Sequence, residues 1–576
     1  MTHTSSGETD EEFDISLARG LTRSLHSRCS AIALISVLPP ELLARTFRFH
    51  ALEERPWSNG MKKLGWIGVT HVCRRWRQVA LDDSSLWARI TGILPNSKWI
   101  AEMLVRARNA PLVVPFAVTP VPEVLSMFTP HIFRIRELRL RNLYRSQDFQ
   151  EICALEAPAL EHFELGISAL NPVTFHQLGG TTLFRGRAPK LRTLSLSGLS
   201  SVIPWSLIPR GQLTQLKITL PSYPWLYSFS IPSPSDSNQL LDLLINSPRL
   251  EVLALEFLSP NILFQAPDGQ AVHLPRLLLL CLGGSTSCVA NLLKMLQLPS
   301  SATLRLRCIS ENPSTDNFNI IFPILSVHFH NPTPVEFRSL RITTNSLDGP
   351  IYVAASVARP DPTISGLHAL EDDTDSDVEL TMSFDGPPLF GHSTSLKEDI
   401  LEDVFSMLPI SNIEFLSISV PAFVPYVNWY ELSQRCEKVT TIRASGGGTS
   451  GLLRSLAPLN PTQTTSGSKG EKGRCVKGAT RLHEAINTAG GHAAITPFPK
   501  LTSLLLENLD FNLAMDQYGV LYHVIAYVLR RRKENNTPLN MLGVDHCVIT
   551  PDRAKCLKKY VQELRWDGDE GTPSEE

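Results

Sequence analysis

This chain has no apolar run long enough to cross a membrane. Its longest, such as 277–282, fall far short of the ~20 residues a span requires. It also lacks an excess of charge of one sign: 54 Lys and Arg face 56 Asp and Glu, leaving a net charge of −2. That balance gives no general attraction to nucleic acid and argues against disorder throughout. The ten cysteines include no C-x-x-C pair, and the closest two, Cys281 with Cys288 and Cys547 with Cys556, have no companion His or Cys cluster. Reduced, buried thiols and no metal site are expected. The chain starts with the polar, acidic MTHTSSGETDEEFD, unlike a secretory leader. These absences lead us to expect a soluble protein of the cytoplasm and/or nucleus, with no membrane or nucleic-acid partner.

Catalytic motifs are equally scarce. The stretch SGGGTSGLL, from Ser445, follows a short predicted strand but lacks the Gly-Lys-Ser/Thr ending of a phosphate loop, so a glycine turn is expected. His162, His176, His328 and His330 lie near predicted strands without a nucleophile elbow, and no H-E-x-x-H pair occurs. An enzyme would need a convergent set of acid, base or nucleophile that the sequence does not display. The expectation is a non-enzyme without cofactor.

What is present is recurrence. The motif L-x-x-L-x-L occurs at Leu191-Leu194-Leu196, Leu213-Leu216-Ile218, Leu250-Leu253-Leu255, Leu277-Leu280-Leu282 and Leu501-Leu504-Leu506. Looser copies run from Ile135-Leu138-Leu140 and Leu160-Phe163-Leu165 to Phe337-Leu340-Ile342, Ile413-Leu416-Ile418, Val439-Ile442-Ala444 and Leu539-Leu542-Val544. Five copies follow a Pro-x dipeptide, as at Pro158-Ala159 and Pro189-Lys190. The middle positions Leu138, Phe163, Leu194, Leu216, Leu253 and Leu280 recur 22 to 37 residues apart, bracketing the ~20–29 residue period of leucine-rich repeats with insertions. Alternating L-x-L makes a short strand with one face inward, and stacked copies bury a continuous core that no single copy could. Between them QLLDLLIN (239–246), 289–298, 399–408 and the longer 518–532 read as helices. The cations Arg530, Arg531, Arg532 and Lys533 are expected to be solvated at a helix C-terminus.

The N-terminal region differs. LPPELLARTF, from Leu38, opens a helix at its prolines, with Leu42, Leu43, Thr46 and Phe47 on one face. A second helix carries Val69, Val72, Cys73, Trp76, Val79 and Ala80 at three- and four-residue spacing. A third turn, capped by one of the residues 82–85, brings Leu86 and Trp87 to the same cluster. Fifty residues bury too little surface to stand alone, so a partner or a neighbouring domain is expected to complete the module.

Leu38, Pro39, Glu41, Leu42, Leu43 and Phe47, followed by Val72, Cys73, Trp76, Val79, Ala80, Leu86 and Trp87, resemble an F-box, in the F-box-like form abundant in mushroom-forming fungi. The following WIAEMLVRARNAPLVV is similar to the helix and first strand that often come next in that family. One departure is the long spacer 48–68, which a surface loop would accommodate. The resemblance implies docking on the Skp adaptor of a cullin-RING ubiquitin ligase through Leu38, Pro39, Pro40, Leu42, Leu43, Phe47, Val72, Cys73, Trp76, Val79, Leu86 and Trp87. The alternative is a cap whose Leu and Trp residues are simply core.

The expected fold is therefore α/β: a small helical F-box-like module, then an irregular leucine-rich-repeat solenoid, a curved parallel sheet with helices on its convex side. The expected divisions are a disordered tail 1–30, the module 31–92, a linking helix and first strand 93–130, and repeats 131–460. A flexible Gly/Ser/Lys-rich insertion 461–497, C-terminal repeats and helices 498–566 and an acidic tail 567–576 complete the chain. A loop is expected over 221–236, and an acidic one near 361–379 in which Thr374 and Ser376, with acidic residues three positions on, are candidate phosphorylation positions. The expected function is a substrate-recognition subunit of a Skp-cullin-F-box (SCF) ligase, the repeats holding a target protein that the sequence does not identify. The alternative is a leucine-rich scaffold.

Overall fold

The computed structural model describes residues 37–54, 64–90, 97–116, 122–143, 154–167, 183–198, 205, 208, 212–219, 234–258, 271–309, 320–330, 335–344, 350–358, 380–385, 394–420, 429–456, 496–514 and 520–568. The chain divides into two compact units, Met1–Ser230 and Ile231–Glu576.

The first unit begins with helices α1 (Pro40–Glu53), α2 (Arg74–Asp82), α3 (Ser84–Trp87) and α4 (Ser97–Arg106). A parallel sheet follows, ordered β1 (Leu112–Phe116), β2 (Ile135–Leu143), β3 (His162–Ile167), β4 (Thr193–Ser197) and β5 (Gln215–Thr219). Its register aligns the repeats: Leu138 pairs with Phe163, Phe163 with Leu194, and Leu194 with Leu216. Successive strands thus present the same motif position to the same face. Leu138, Leu140, Phe163, Leu165, Leu194, Leu196 and Leu216 are all at most 1% exposed.

The Pro-x dipeptides have a local cause. Before each strand the chain makes a turn closed by an i to i+3 backbone bond: Leu160 N–H to Ala157, Leu191 to Ala188, Leu250 to Ser247, Leu277 to Leu274 and Leu501 to Phe498. Proline sits at the second turn position, where its fixed φ is favoured. The first leucine of the motif closes the turn, and the next two enter the core.

In the second unit the sheet order is β6 (Val252–Leu258), β8 (Leu279–Ser285), β10 (Thr303–Ile309), β13 (Leu380–Asp385), β12 (Ile351–Ser356), β11 (Ser339–Thr344), β14 (Phe415–Ser419), β15 (Thr441–Ser445), β16 (Ser503–Glu507), β17 (Met541–Asp545) and β18 (Glu563–Trp566). Two short strands, β7 (Val272–His273) and β9 (Leu296–Gln297), pair separately. The middle motif positions again align, Leu340 with Leu416, Ile442, Leu504 and Leu542 in turn. Helices Pro234–Ile245, Thr286–Met295, Phe322–His330, Thr394–Met407 and Leu521–Glu534 alternate with the strands. The first starts five residues before the sequence suggests.

The expectation of a wholly parallel sheet is corrected in the middle of this unit, where β12 runs antiparallel between β11 and β13. Only residues 345–350 separate β11 from β12. That is too short for a parallel crossover, which takes a dozen residues or more, so the chain must double back. Strand β13 then returns parallel to β10. The strand β10 also escaped the motif search, because the step from its turn to the first core leucine is one residue shorter. Ala302 N–H, not a leucine, closes the turn onto Pro299, and Leu304 and Leu306 follow directly.

Arg532 is a second correction. It is not solvated with its neighbours but wholly buried, donating to the carbonyls of Pro497, Phe498 and Leu456 at 2.8, 3.1 and 3.4 Å. Arg530 and Arg531 do stay at the surface, paired with Glu534. Of the expected loop 221–236, residues 234–236 instead open the helix Pro234–Ile245; its remainder 221–233, the loop 361–379 with Thr374 and Ser376, residues 461–495 of the insertion expected at 461–497, and the tails up to residue 36 and from 569 fall outside the described residues.

Candidate docking module

Helix α1 is set where the sequence places it: Pro39 precedes it, Pro40 is its first residue, and the amides of Leu42 and Leu43 bond to the Pro39 carbonyl at 3.1 Å. Its buried stripe is Leu43, Phe47 and Ala51, spaced by four residues; Leu42 and Thr46 are exposed instead. The Arg75 guanidinium donates to the Leu38 carbonyl, fixing the approach to α1 against α2.

Helix α2 begins later than its apolar spacing suggests. Cys73 caps it, its Sγ accepting the Trp76 amide at 3.5 Å, and Val69 and Val72 lie before it. Val69 belongs to a 3-10 turn, Gly65–His71, that buries Trp66, Ile67 and Thr70 as well. Trp66 packs edge-on against Trp87 with ring centroids 5.0 Å apart. Of the long spacer, residues 48–53 thus continue α1 and 65–68 belong to this buried turn rather than to a surface loop; residues 55–63 lie outside the described residues. Trp76, half-buried, packs at 5.0 Å on Phe47.

Asp83 caps α3. It accepts the Ser85 amide at 3.2 Å and the Ser85 hydroxyl at 2.6 Å, and takes a two-pronged ion pair from Arg48 at 2.7 and 3.0 Å. Burial pushes the Asp83 carboxyl up, but the bonds from Arg48 and Ser85 outweigh it and hold the group below the usual carboxylate range. This one residue fastens α3 to α1. Trp87, fully buried, donates its indole N–H to the Ala80 carbonyl at 2.6 Å, and Arg106 of α4 lies 4.3 Å over its ring.

The surface deficit of the small module is met within the chain. Immediately after α3, Ile90 N–H bonds to Val113 O and Val113 N–H to Ala88 O, both at 2.9 Å, making a parallel bridge to β1. The helical module and the first sheet are one folded body.

The twelve residues implied in docking divide accordingly. Leu43, Phe47, Leu86 and Trp87 are at most 2% exposed and hold the module together. Pro39, Pro40, Leu42 and Val72 are exposed, while Leu38, Cys73, Trp76 and Val79 are half-buried. Beside them the structure brings up two residues that sequence reasoning missed, Phe49 and Leu52, 57% and 56% exposed on α1. With Pro40, Ala44 and Val79 they line a groove of about 720 Å³ rimmed by Arg45, Arg48 and Asp82. Their signal was an apolar residue placed off the buried stripe: Leu42 and Phe49 are seven apart and share a second face.

The matched segment decides the family of this module. A family model described as F-box-like matches residues 35–92. The F-box-like match coincides with α1, the 3-10 turn, α2, α3 and the bridge to β1. It supports an F-box protein, and F-box-like domains generally bind Skp-type adaptors. No curated protein matches the chain.

Other candidates resolve differently. In the glycine stretch, Gly446 has φ +80°, and the amides of Gly446, Gly448 and Thr449 donate to the Glu507, Val420 and Gly446 carbonyls. His162 contacts the Thr193 hydroxyl at 3.0 Å, and burial holds His328 below the usual imidazole range; His176 is outside the described residues. Among the described residues no group of three His, Cys, Asp or Glu is placed to hold a metal, and no helix is long and apolar enough to cross a membrane.

Proposed function

We propose that this chain is a substrate-recruiting subunit of an SCF-type ubiquitin ligase, acting in the cytoplasm and/or nucleus. The F-box-like module docks on a Skp-type adaptor, and the stacked strands, read as irregular leucine-rich repeats, present a target protein. The subunit makes and breaks no bonds. Holding a target beside a ubiquitin-charged enzyme turns a dilute encounter into an effectively intramolecular one.

The observation that carries this reading is the exposed apolar face of the matched segment. Leu42, Phe49 and Leu52 are 49–57% exposed on a helix whose opposite side already has its core, and Phe49 and Leu52 line a groove with Pro40, Ala44 and Val79. Apolar anchors grouped in a concave, charge-rimmed patch are the usual make-up of a binding hot spot. Co-purification of the full chain with recombinant Skp adaptor tests it. Leu38→Ala with Pro39→Ala should weaken the complex and leave thermal unfolding nearly unchanged; a collapse of the whole protein would instead favour a structural role.

A second reading has its own support. The bridge between 88–90 and β1 places the module directly on the sheet edge, as a solenoid cap would be. A leucine-rich scaffold capped by these helices would fold identically but ignore the adaptor.

A further inference from the structure

The second unit ends in an open sheet edge. Strand β18 is the last of the sheet order and pairs with β17 on one side. Its inward bonds fall on alternate residues: Glu563 N–H donates to Asn540 O at 2.8 Å, and Asp567 N–H to Val544 O at 3.4 Å. Successive amides of a strand point to opposite sides, so Leu564 turns its N–H and C=O to the outer edge. Among the described residues no strand or bridge lies on that side. The core is unsealed there as well. Leu542 and Val544 on β17 are 0% exposed, whereas Leu564 and Trp566, beside them in register, are only half-buried. Neither proline nor bulge, devices that keep an edge from pairing, interrupts the strand.

We propose that β18 is the contact surface for a second copy of this chain, the two strands pairing antiparallel about a twofold axis at Leu564. Charge names both the occupant and the register. Glu563 and Arg565 flank Leu564 on the opposite face of the sheet and pair with each other at 2.7 Å, both more than half exposed, a link worth little by itself. With Leu564 of one copy opposite Leu564 of the other, Glu563 of each copy faces Arg565 of the other at the sites where side chains come closest. The two internal pairs then join into a square of alternating sign. Moving the axis one residue either way sets Glu563 on Glu563 or Arg565 on Arg565, which like-charge repulsion disfavours. The flanks agree. Lys558 and Lys559 precede the strand; Asp567, which accepts the His546 amide at 2.6 Å, follows it, with Asp569 and Glu570 further along the sequence. Antiparallel pairing sets the basic end of one copy beside the acidic end of the other, where parallel pairing would set like beside like. The same patch serves on both chains, so the contact closes at two copies. A short strand buries little area, and the dimer is therefore reversible and concentration-dependent. It carries two F-box-like modules, which makes bivalent attachment available.

Sedimentation velocity of the purified full chain, from micromolar to sub-millimolar concentration, tests this. The expected result is a monomer–dimer equilibrium, with hydrogen exchange at the Leu564 amide slowing as the dimer forms. Glu563→Arg and Arg565→Glu should each weaken dimerisation at least tenfold, because each leaves like charges opposed. Mixing those two variants should restore it, and so should the double swap within one chain. Leu564→Pro should abolish it, since proline removes an outward amide and no inward bond. Melting curves confirm that each variant is folded; both charge positions are exposed, so their transitions should match wild type. A wild-type chain that stays monomeric throughout, a dimer undiminished in a folded Leu564→Pro, or charge variants that mixing fails to restore would overturn the proposal. If Leu564→Pro does not fold, the charge swap decides alone.

Discussion

Replacing Arg532 by Met should destabilise the second unit measurably although no carboxylate is lost. Arg532 lies on Leu521–Glu534 with 0% exposure, and one of its nitrogens, Nη1, reaches both Leu456 and Pro497, which flank residues 457–496. Burial drops the guanidinium to about 10, a disadvantage of about 3 kcal/mol for the charged form at roughly 1.4 kcal/mol per pKa unit. Two firm bonds to carbonyls, at 2.8 and 3.1 Å, offset it by about 1.5–3 kcal/mol each. Met removes both the bonds and the buried charge, so the loss is the smaller quantity set by stranded carbonyls, about 2 kcal/mol. At roughly 2 °C per kcal/mol for a large domain, Tm should fall by about 4 °C. Differential scanning calorimetry of Arg532→Met beside the exposed control Tyr527→Ala reads this directly. An unaltered Tm in Arg532→Met would refute the reasoning.

Further outcomes follow from the docking module. Asp83 is held below its unfolded value, so the stability it adds is present above about pH 4 and lost as pH falls through its folded pKa. Asp83→Asn should therefore lower Tm at neutral pH, with the gap to wild type closing in acid; a gap constant with pH would contradict the Arg48 pairing. Phe47→Ala should cost about 3–5 kcal/mol of folding stability, because it is 2% exposed among packed rings. Phe49→Ala with Leu52→Ala should change stability by less than about 1 kcal/mol, both residues being more than half exposed.

Much of this architecture was legible because leucine repeats carry their own register. Leu194, Leu216, Leu280 and Leu504 fall at the strand positions that the motif assigns, and Pro189 or Pro275 marks the turn before the strand. Strands β12 and β13 were not legible, since Pro350 and Asp377 stand where the motif has its first leucine, three residues before Val353 and Leu380, and the direction of β12 follows from the short connection before it rather than from periodicity. The docking module was read correctly in its order and in the openings of α1 and α3, but not in the start of α2, which Cys73 caps, nor in its faces. Leu42 and Leu43 are adjacent apolar residues, and only packing decides that Leu43 faces the core and Leu42 the solvent. Trp66, hidden in a spacer without helical period, anchors on Trp87 and could only be found in three dimensions. Arg532 shows the converse: one member of a run of four cations is buried, because its position on the helix points at the returning chain.

The central claim is adaptor docking through the exposed face of α1, and titration calorimetry of the purified full chain with recombinant Skp adaptor tests it most directly. The account predicts a one-to-one complex weakened about tenfold or more by Phe49→Ala with Leu52→Ala, roughly the 1.4 kcal/mol or greater expected of a hot-spot pair. A folded wild-type chain that gives no binding heat and no co-elution with the adaptor would contradict it.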